Sequence, residues 1–228
     1  MGSKKAKAPP TGDIEAPSSA DATRNDIIEV ATREFSEKGL AGARVDEIAE
    51  RTSTSKRMIY YHFQSKEGLY RAVLERAYEQ IRLIEAEINI SALAPQEALR
   101  ALVLVSFNYH HKNPDFVRLV MNENIHRGEH IGSMTGVKAR RQTILSLLRQ
   151  VLERGVKSGV FRADIDPIDL HMSISALCFY NVSNRHTFSR IFEHDMTSAR
   201  AVARRREIVS DMILRWVAAD SPRGGRGN

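Results

Sequence analysis

A basic and aromatic segment lies between positions 51 and 66 and contains no aspartate or glutamate. Lysine and arginine bind phosphate oxygens, and a guanidinium can donate two parallel hydrogen bonds to O6 and N7 of guanine. Tyrosine and histidine donate to phosphates and contact base edges. With one arginine a few residues upstream, the segment has the chemistry to bind double-stranded DNA. Its candidate contacts are Arg44, Thr54, Ser55, Lys56, Arg57, Tyr60, Tyr61, His62 and Lys66.

The pattern around this segment predicts two short helices joined by a polar turn. Val45, Ile48 and Ala49 recur at helical spacing and predict the first helix. Ser55 can cap the second helix, because its hydroxyl accepts a free backbone N–H of the first turn. Ser65 with Glu67 then begins a third helix. A basic and aromatic second helix after a polar turn is typical of a helix-turn-helix.

The second short helix begins with two cations, which a helix N-terminus disfavours. Lys56 and Arg57 lie in its first turn, where the helix dipole favours negative charge. A phosphate or a guanine acceptor placed nearby would offset this cost. We expect Ile59 and Phe63 to be core residues, while Tyr60 is either a DNA contact or a partly buried packing ring.

The net charge of +6 gives less support to DNA binding than the local pattern does. Residues 1–75 contain 12 Lys+Arg and 12 Asp+Glu, and residues 76–228 contain 22 and 16. The basic surplus therefore lies outside the helix-turn-helix. The case for DNA binding depends on the acid-free segment and not on total charge.

The sequence from 23 to 74 resembles the TetR family of bacterial transcription regulators. The resemblance lies in Ile48-Ala49-Glu50, Ser55, the run from Ile59 to Phe63, and Ser65-Lys66-Glu67 followed by Leu69. It implies that the three aromatic residues Tyr60, Tyr61 and His62 contact phosphates and bases, and that Lys66 binds phosphate. It also implies a homodimer on a palindromic operator, with the last two helices as the dimer interface.

Four positions depart from the family pattern. Ser53 stands where the family has a turn glycine, so the turn must be made by a residue that tolerates positive φ less well. Ala43 and Arg44 replace two threonines, and Arg44 cannot cap a helix as threonine does. Arg57 replaces a small residue. We expect these positions to affect the operator preference and not the fold.

Helical periodicity along the whole chain, without convincing strand alternation, predicts an all-α protein of about nine helices. Three belong to a helix-turn-helix domain at 23–70, and six to a larger effector-binding and dimerisation domain at 71–219. Thr23 with Asp26 is the expected N-cap pair of the first helix. We predict the remaining helices at 67–89, 95–111, 114–127, 137–158, 166–188 and 198–219.

The segments 1–22 and 220–228 have the composition of a disordered arm and tail. The arm's Lys4, Lys5 and Lys7 either touch phosphates or are solvated.

Several protein classes are not supported. No apolar run reaches the ~20 residues that span a bilayer, no secretory signal is present, and Cys178 is the single cysteine, so we expect a cytoplasmic protein without membrane association. No nucleophile elbow, phosphate loop or paired-carboxylate motif indicates an enzyme or a cofactor. His126 and His130 are spaced for a metal, but Gly128 intervenes and no cysteine is near. We therefore expect no metal.

An effector pocket should be apolar with a few polar side chains. The candidates, each of which is alternatively an ordinary core residue, are Phe107, His111, Phe116, Asn122, His171, Cys178, Tyr180 and Asn181. The basic surplus suggests an anionic effector such as a small aromatic or heterocyclic carboxylate, although the run Arg204 to Arg206 is also explained by a solvated face. The expected dimer interface comprises Ile208, Met212, Ile213 and Trp216. The alternative function is a helical ligand-binding dimer or scaffold that no longer binds DNA specifically.

Overall fold

The structure, a computed structural model, describes residues 19–134 and 137–219, and these form ten α-helices and no β-strand. The predicted all-α fold is confirmed. The predicted arm, apart from residues 19–22, and the predicted tail at 220–228 lie outside the described residues. The helices are α1 (Ser19–Gly42), α2 (Val45–Arg51), α3 (Lys56–Phe63), α4 (Lys66–Ala86), α5 (Pro95–Lys112), α6 (Pro114–Ile125), α7 (Val137–Lys157), α8 (Pro167–Ser183), α9 (Arg185–Phe192) and α10 (Ala199–Val217).

Two predicted boundaries were wrong. Helix α1 begins at Ser19, so Thr23 lies inside the helix and is not its N-cap. The predicted helix at 166–188 is two helices, because Asn184 adopts a non-helical conformation (φ −104°, ψ 2°) that ends α8 and begins α9. This break accounts for ten helices where nine were expected. The chain between α9 and α10 turns at Glu193, whose φ is 49°.

The helix-turn-helix packs on the apolar face of α1. Ile27 and Phe35 of α1 are completely buried, as are Ile48 of α2 and Ile59 of α3. Helix α1 changes direction near its end at Gly39, whose φ of 67° suits glycine because it has no Cβ. The same helix also packs against α4 and α6 of the larger region.

The buried apolar side chains form two clusters. The first includes the helix-turn-helix core and continues through α4 into Tyr109 of α5, Phe116 and Leu119 of α6 and Val182 of α8. The second is built from α5, α7, α8 and α10 around residues such as Phe107 and Leu148. The first cluster therefore crosses the predicted domain boundary at 70/71. None of the helices within the described ranges carries an apolar stretch long enough to cross a bilayer.

Candidate nucleic-acid interface

The turn between α2 and α3 has the geometry that the sequence predicted. The Ser55 hydroxyl accepts a hydrogen bond from Met58 N at 3.2 Å and so caps α3. Ser53 has a φ of 50°, which confirms that a non-glycine residue occupies the left-handed region in this turn. Thr54, half-buried, closes the turn by donating its N–H to Ala49 O at 3.2 Å.

Helix α3 has one buried and one exposed face. Ile59 and Phe63 are buried, as predicted, and anchor the helix on the α1–α4 core. On the opposite face Arg57 is exposed, Tyr61 is 77% exposed and Tyr60 is 38% exposed. Within the described chain, Arg57 forms no ion pair. The exposed face therefore presents a free guanidinium and two phenols that can donate to DNA.

Both lysines of the segment already have a partner within the protein. Lys56 Nζ lies 2.9 Å from Asp46 Oδ1 of α2, and this hydrogen-bonded carboxylate raises the pKa of Lys56. Lys66 Nζ donates to Ala41 O at 3.3 Å, beside the end of α1. The Lys56 charge is therefore partly neutralised locally, while Lys66 remains a cation at the N-terminus of α4, where free N–H groups also favour phosphate.

His62 is placed differently from its two tyrosine neighbours. Its ring is half-buried, with ring centroids 5.4 Å from Tyr61 and 6.0 Å from Phe63. Its Nε2 atom is buried without a hydrogen-bond partner. The ring therefore packs against its neighbours on α3, and its Nε2 nitrogen is unpaired within the described chain.

A buried carboxylate that the sequence analysis missed holds these helices together. Glu34 of α1 is 1% exposed, and its Oε1 accepts from the backbone N–H of Arg44 at 3.2 Å, just before α2. Lys38 Nζ lies 2.9 Å from the same oxygen and a guanidinium nitrogen of Arg51 lies 3.6 Å from the other. Arg44 itself is exposed and its side chain does not cap α2, as expected. Glu34 therefore ties the residue that precedes α2 to α1.

The sequence did contain a signal for this residue. Glu34 follows Ile27 and Ala31 at helical spacing, so it is a charged residue on the apolar face of α1. A carboxylate in that position is buried only when it is paired. The glycine between Glu67 and Leu69 also has a steric role, because a Cβ at Gly68 would lie 2.0 Å from Phe63 O. This glycine lets the start of α4 approach the end of α3.

The eight candidate effector contacts lie in separate places. Phe107 and Cys178 are in the second hydrophobic cluster, where burial raises the pKa of the Cys178 thiol to about 12. His111 and His171 are half-buried. Asn122 contacts α1, and Tyr180 and Asn181 line a cavity beside α10. The sequence indicated these residues as candidates, but it could not show that the fold places them apart.

A polar cluster with aromatic walls lies between α4, α5 and α8. Arg82 pairs with the buried Glu85, and desolvation raises the pKa of Glu85. His110 Nδ1 lies 2.6 Å from Ser106 O, and since a carbonyl only accepts, Nδ1 carries the proton. Burial lowers the pKa of His110 and lowers that of His171 to about 4, so both rings are neutral. Arg82, Glu85 and His110 were not among the predicted contacts, although Arg82 and Glu85 follow Tyr78 at helical spacing.

The aromatic walls of this cluster are contributed by three helices. The Phe116 ring of α6 lies edge-on to those of Tyr78, Tyr109 and His110, at centroid distances of 5.3, 5.4 and 5.7 Å. Tyr109 also donates its hydroxyl to Ala77 O at 2.9 Å. Phe116 is thus a candidate residue that lies against the aromatic walls of this cluster.

Helix α6 is attached to α1 by polar contacts as well as by packing. Ser36 Oγ of α1 lies 3.0 Å from Asp115 Oδ1, and Asn122 Nδ2 donates to Phe35 O at 3.4 Å. On the other side of α6, Glu123 is buried and accepts from His130 N at 3.2 Å. The helix that carries Phe116 is therefore fixed directly to the helix behind the DNA-binding segment.

Glu123 also fixes His130 and a tyrosine of α4. His130 Nδ1 lies 3.1 Å from Glu123 Oε1, and burial together with this carboxylate raises the pKa of Tyr70. His126 instead uses Nδ1 against Asn122 O at 2.8 Å. The two histidines weighed as metal ligands thus face different partners. Among the residues that the structure covers, no three His, Cys, Asp or Glu side chains are grouped as metal ligands.

The four predicted dimer-interface residues of α10 differ in exposure. Ile208 and Met212 are 38% and 47% exposed, whereas Ile213 is buried in the core of its own protomer. Trp216 is partly buried, with the Arg162 guanidinium 5.7 Å from its ring. On the neighbouring α8, Ile168 and Met172 are exposed as well. Apolar surface is therefore available on both helices.

A capped helix-turn-helix with an exposed, acid-free recognition helix, followed by a larger helical region, defines a DNA-binding transcriptional regulator. Comparison with known proteins gives its family. Residues 27–73 match the model of bacterial regulatory proteins of the tetR family, and residues 95–213 match the tetracyclin repressor-like C-terminal domain. The chain belongs to the TetR family, and its members are regulators and not enzymes.

Named relatives and solved structures agree with this assignment. The chain is 35% identical over 196 residues to the HTH-type transcriptional repressor NicS of Pseudomonas putida, covering 86% of this chain and 92% of that protein. A tetR-family regulatory protein from Rhodococcus RHA1 has a similar fold, with a TM-score of 0.67, 19% identity and coverage of 87% and 98%. The ketosteroid transcriptional regulator KstR2 of Mycobacterium tuberculosis gives a TM-score of 0.65 at 20% identity, with coverage of 86% and 95%.

Proposed function

We propose that this chain is a repressor that binds a palindromic operator as a homodimer and leaves it when a small-molecule effector binds. The observation that carries the proposal is the exposed face of α3, where Arg57 and Tyr61 are free to contact DNA and no acid intervenes. These features argue against the alternative of a helical scaffold that has lost DNA binding. Acting on DNA, the protein would function in the cytoplasm.

In this proposal the residues of the interface have distinct roles. Arg57 enters the major groove and forks onto a guanine, and Tyr60 and Tyr61 donate to phosphates and base edges. Lys66, at the N-terminus of α4, binds a phosphate, and Arg44 reaches a neighbouring one. Lys56 contributes less, because Asp46 partly neutralises its charge.

Dimerisation follows from the weakness of one short recognition helix. Two copies of α3 must lie about 34 Å apart to enter successive major grooves. The exposed Ile208 and Met212 of α10, with Ile168 and Met172 of α8, support a partner contact on these helices. Ile213, buried in its own protomer, stabilises the helix that carries them.

An effector bound against α6 would act through the contacts between α6 and α1. A ligand that moves α6 displaces Asp115 and Asn122, and with them Ser36 and the end of α1. A changed spacing of the two α3 helices then weakens operator binding. Linkage requires that the operator weaken effector binding by the same factor.

The test compares two variants on DNA from upstream of the chain's own coding sequence. Arg57→Ala should cost about 1–3 kcal/mol on the operator and little on scrambled DNA, because it removes a base contact. Lys66→Ala should weaken binding to both DNAs and lower the slope of log K against log[salt] by about 1. Fluorescence anisotropy at several salt concentrations measures both effects.

Lys157→Ala, an exposed lysine at the end of α7, is the matched control and should leave both DNAs unaffected. Equal losses for Arg57→Ala and Lys66→Ala on operator and scrambled DNA would contradict the assigned roles. Failure of the wild-type protein to prefer any DNA from its own upstream region would overturn the proposed function itself.

A further inference from the structure

A cavity of about 420 Å³ lies between α8, α9 and α10, away from the DNA-binding segment. Small-molecule sites in proteins have volumes of about 300–1,000 Å³, so the cavity can hold a compound of one or two rings. Its walls come from Tyr180 and Asn181 of α8, Phe188 of α9 and Arg204 and Arg205 of α10.

Two cations line this cavity without an acid beside them. On the same helix, Arg206 pairs with Glu207 at 3.5 Å and Arg215 pairs with Asp211 at 2.8 Å. Arg204 and Arg205 have no carboxylate partner in the described part of the chain, although both line the cavity. Arg205 is half-buried, whereas Arg204 is exposed. A guanidinium pair without acids favours an anion.

An amide side chain lies in the same wall. Asn181 is 6% exposed and lines the cavity. Because an amide can both donate and accept, Asn181 can bind a polar atom of a ligand placed there.

Aromatic rings shape the rest of the cavity. Phe188 is edge-on to Tyr180 and to His194, each with a centroid distance of 6.5 Å. Flat apolar walls around a cation pair fit a planar ring with an acidic substituent. A cation would be repelled by the two arginines, and a purely aliphatic acid would leave the rings uncovered.

We propose that this cavity binds a small planar aromatic anion, with Arg204 and Arg205 on its acidic group, Asn181 on a second polar atom and Phe188 against its ring. The inference rests on the proposed function, because it assigns a ligand site in the same C-terminal region. It places the ligand beside the exposed Ile208 of α10, where binding can alter the relation of two protomers.

The test is isothermal titration calorimetry of the full-length protein with benzoate as the probe and benzamide as its neutral counterpart. Wild type should bind benzoate and bind benzamide at least about tenfold more weakly, because only the anion engages the guanidinium pair. Arg205→Gln and Asn181→Leu should each weaken benzoate binding by about tenfold or more. Circular dichroism confirms that each variant is folded.

Arg200→Gln is the matched control, since Arg200 is exposed on the first turn of α10 and outside the cavity. It should leave the benzoate affinity unchanged. Equal affinity for benzoate and benzamide, or equal losses in Arg205→Gln and Arg200→Gln, would overturn the site. Absence of benzoate binding to wild type at millimolar concentration, with Arg205→Gln shifting the dimer towards monomer in sedimentation, would show a protein interface instead. Operator binding by the ligand-free protein would still stand in either case, so the two proposals fail separately.

Discussion

The DNA-binding segment and the C-terminal region differ in the exposure of their polar side chains. In the first, the side chains that act are exposed on α3 and one buried carboxylate, Glu34, fixes the scaffold behind them. In the second, Arg82, Glu85, His110 and His171 are withdrawn from water, and burial shifts the pKa of the last three. An exposed contact can be inferred from a short motif, whereas a buried one depends on which helices meet.

This difference is in line with the proposed function. DNA is large and anionic, so a convex surface with free donors suffices. A small ligand must be enclosed, and the groups that recognise it are then desolvated and need exact partners in the fold. The three experiments below test this contrast, beginning with the largest expected effect.

The first experiment asks whether the DNA-binding segment depends on its one buried charge. Glu34→Ala removes the acceptor of Arg44 N and the partner of Lys38 and Arg51. We expect a loss of about 2–3 kcal/mol in the free energy of unfolding, since the N–H before α2 is left without its acceptor. Urea denaturation measures this. Glu29→Ala breaks an exposed pair on the same helix and should cost less than about 0.5 kcal/mol. Equal costs would mean that the burial of Glu34 does not matter.

The second experiment asks whether the C-terminal region depends on neutral buried histidines. The pKa of His171 is about 4 in the folded protein and 6.5 when exposed, so the unfolded chain gains a proton first as the pH falls. The free energy of unfolding is therefore not reduced by this group above pH 6.5, and it falls by up to about 3 kcal/mol as the pH falls towards 4. His171→Asn should remove that part of the pH dependence.

Glu85 acts in the opposite direction, because its raised pKa lets the folded state take up a proton first as the pH falls towards 4.5. The informative quantity is therefore the difference between variant and wild type in urea denaturation at several pH values. His186→Asn, on the exposed side of α9, is the control and should reproduce the wild-type curve. A His171→Asn curve parallel to wild type would exclude this role for His171.

The third and smallest effect concerns the turn of the helix-turn-helix. Ser53→Gly should raise stability by about 0.5–1 kcal/mol, because glycine adopts the φ of 50° without the steric cost that serine bears. Thermal unfolding measures the change. Ser55→Gly is an instructive counterpart, since it loses the cap on Met58 N and should not stabilise the protein. Destabilisation by Ser53→Gly would indicate that the serine side chain has a role of its own.

Much of the fold was predictable because helices depend on local patterns. Proline at Pro95, Pro114 and Pro167 marked three helix starts, and Ser55 and Ser65 marked two more through their caps. The break at Asn184 was missed because apolar residues continue at helical spacing on both sides of it. Phe188 and Phe192 pack against each other at 4.5 Å in a helix with no buried residue, so hydrophobicity alone did not mark a new element.

The candidate DNA contacts were predictable for a similar reason, since exposure on α3 follows from the burial of Ile59 and Phe63. The partner of Lys56 and the role of Glu34 were not predictable. Asp46 lies ten residues from Lys56 and Arg44 ten residues from Glu34, and each pair meets only because two helices pack together. The candidate effector contacts do not form one cluster in the fold. Asn122, for example, contacts α1 because α6 packs on that helix. Such placements are set by helix packing over long sequence separations.

The hydrophobic cluster that runs from α1 into α5, α6 and α8 limits how freely evolution or an engineer can exchange parts of this protein. A chimera that joined residues up to 70 to the C-terminal region of another regulator would bring foreign side chains into a cluster that Phe35 and Tyr70 now share with Leu119 and Phe116. Such a hybrid would need compensating substitutions on α6 before it could fold well enough to bind its operator. Residues up to 70 thus carry the DNA-binding motif, but their packing depends on helices of the C-terminal region.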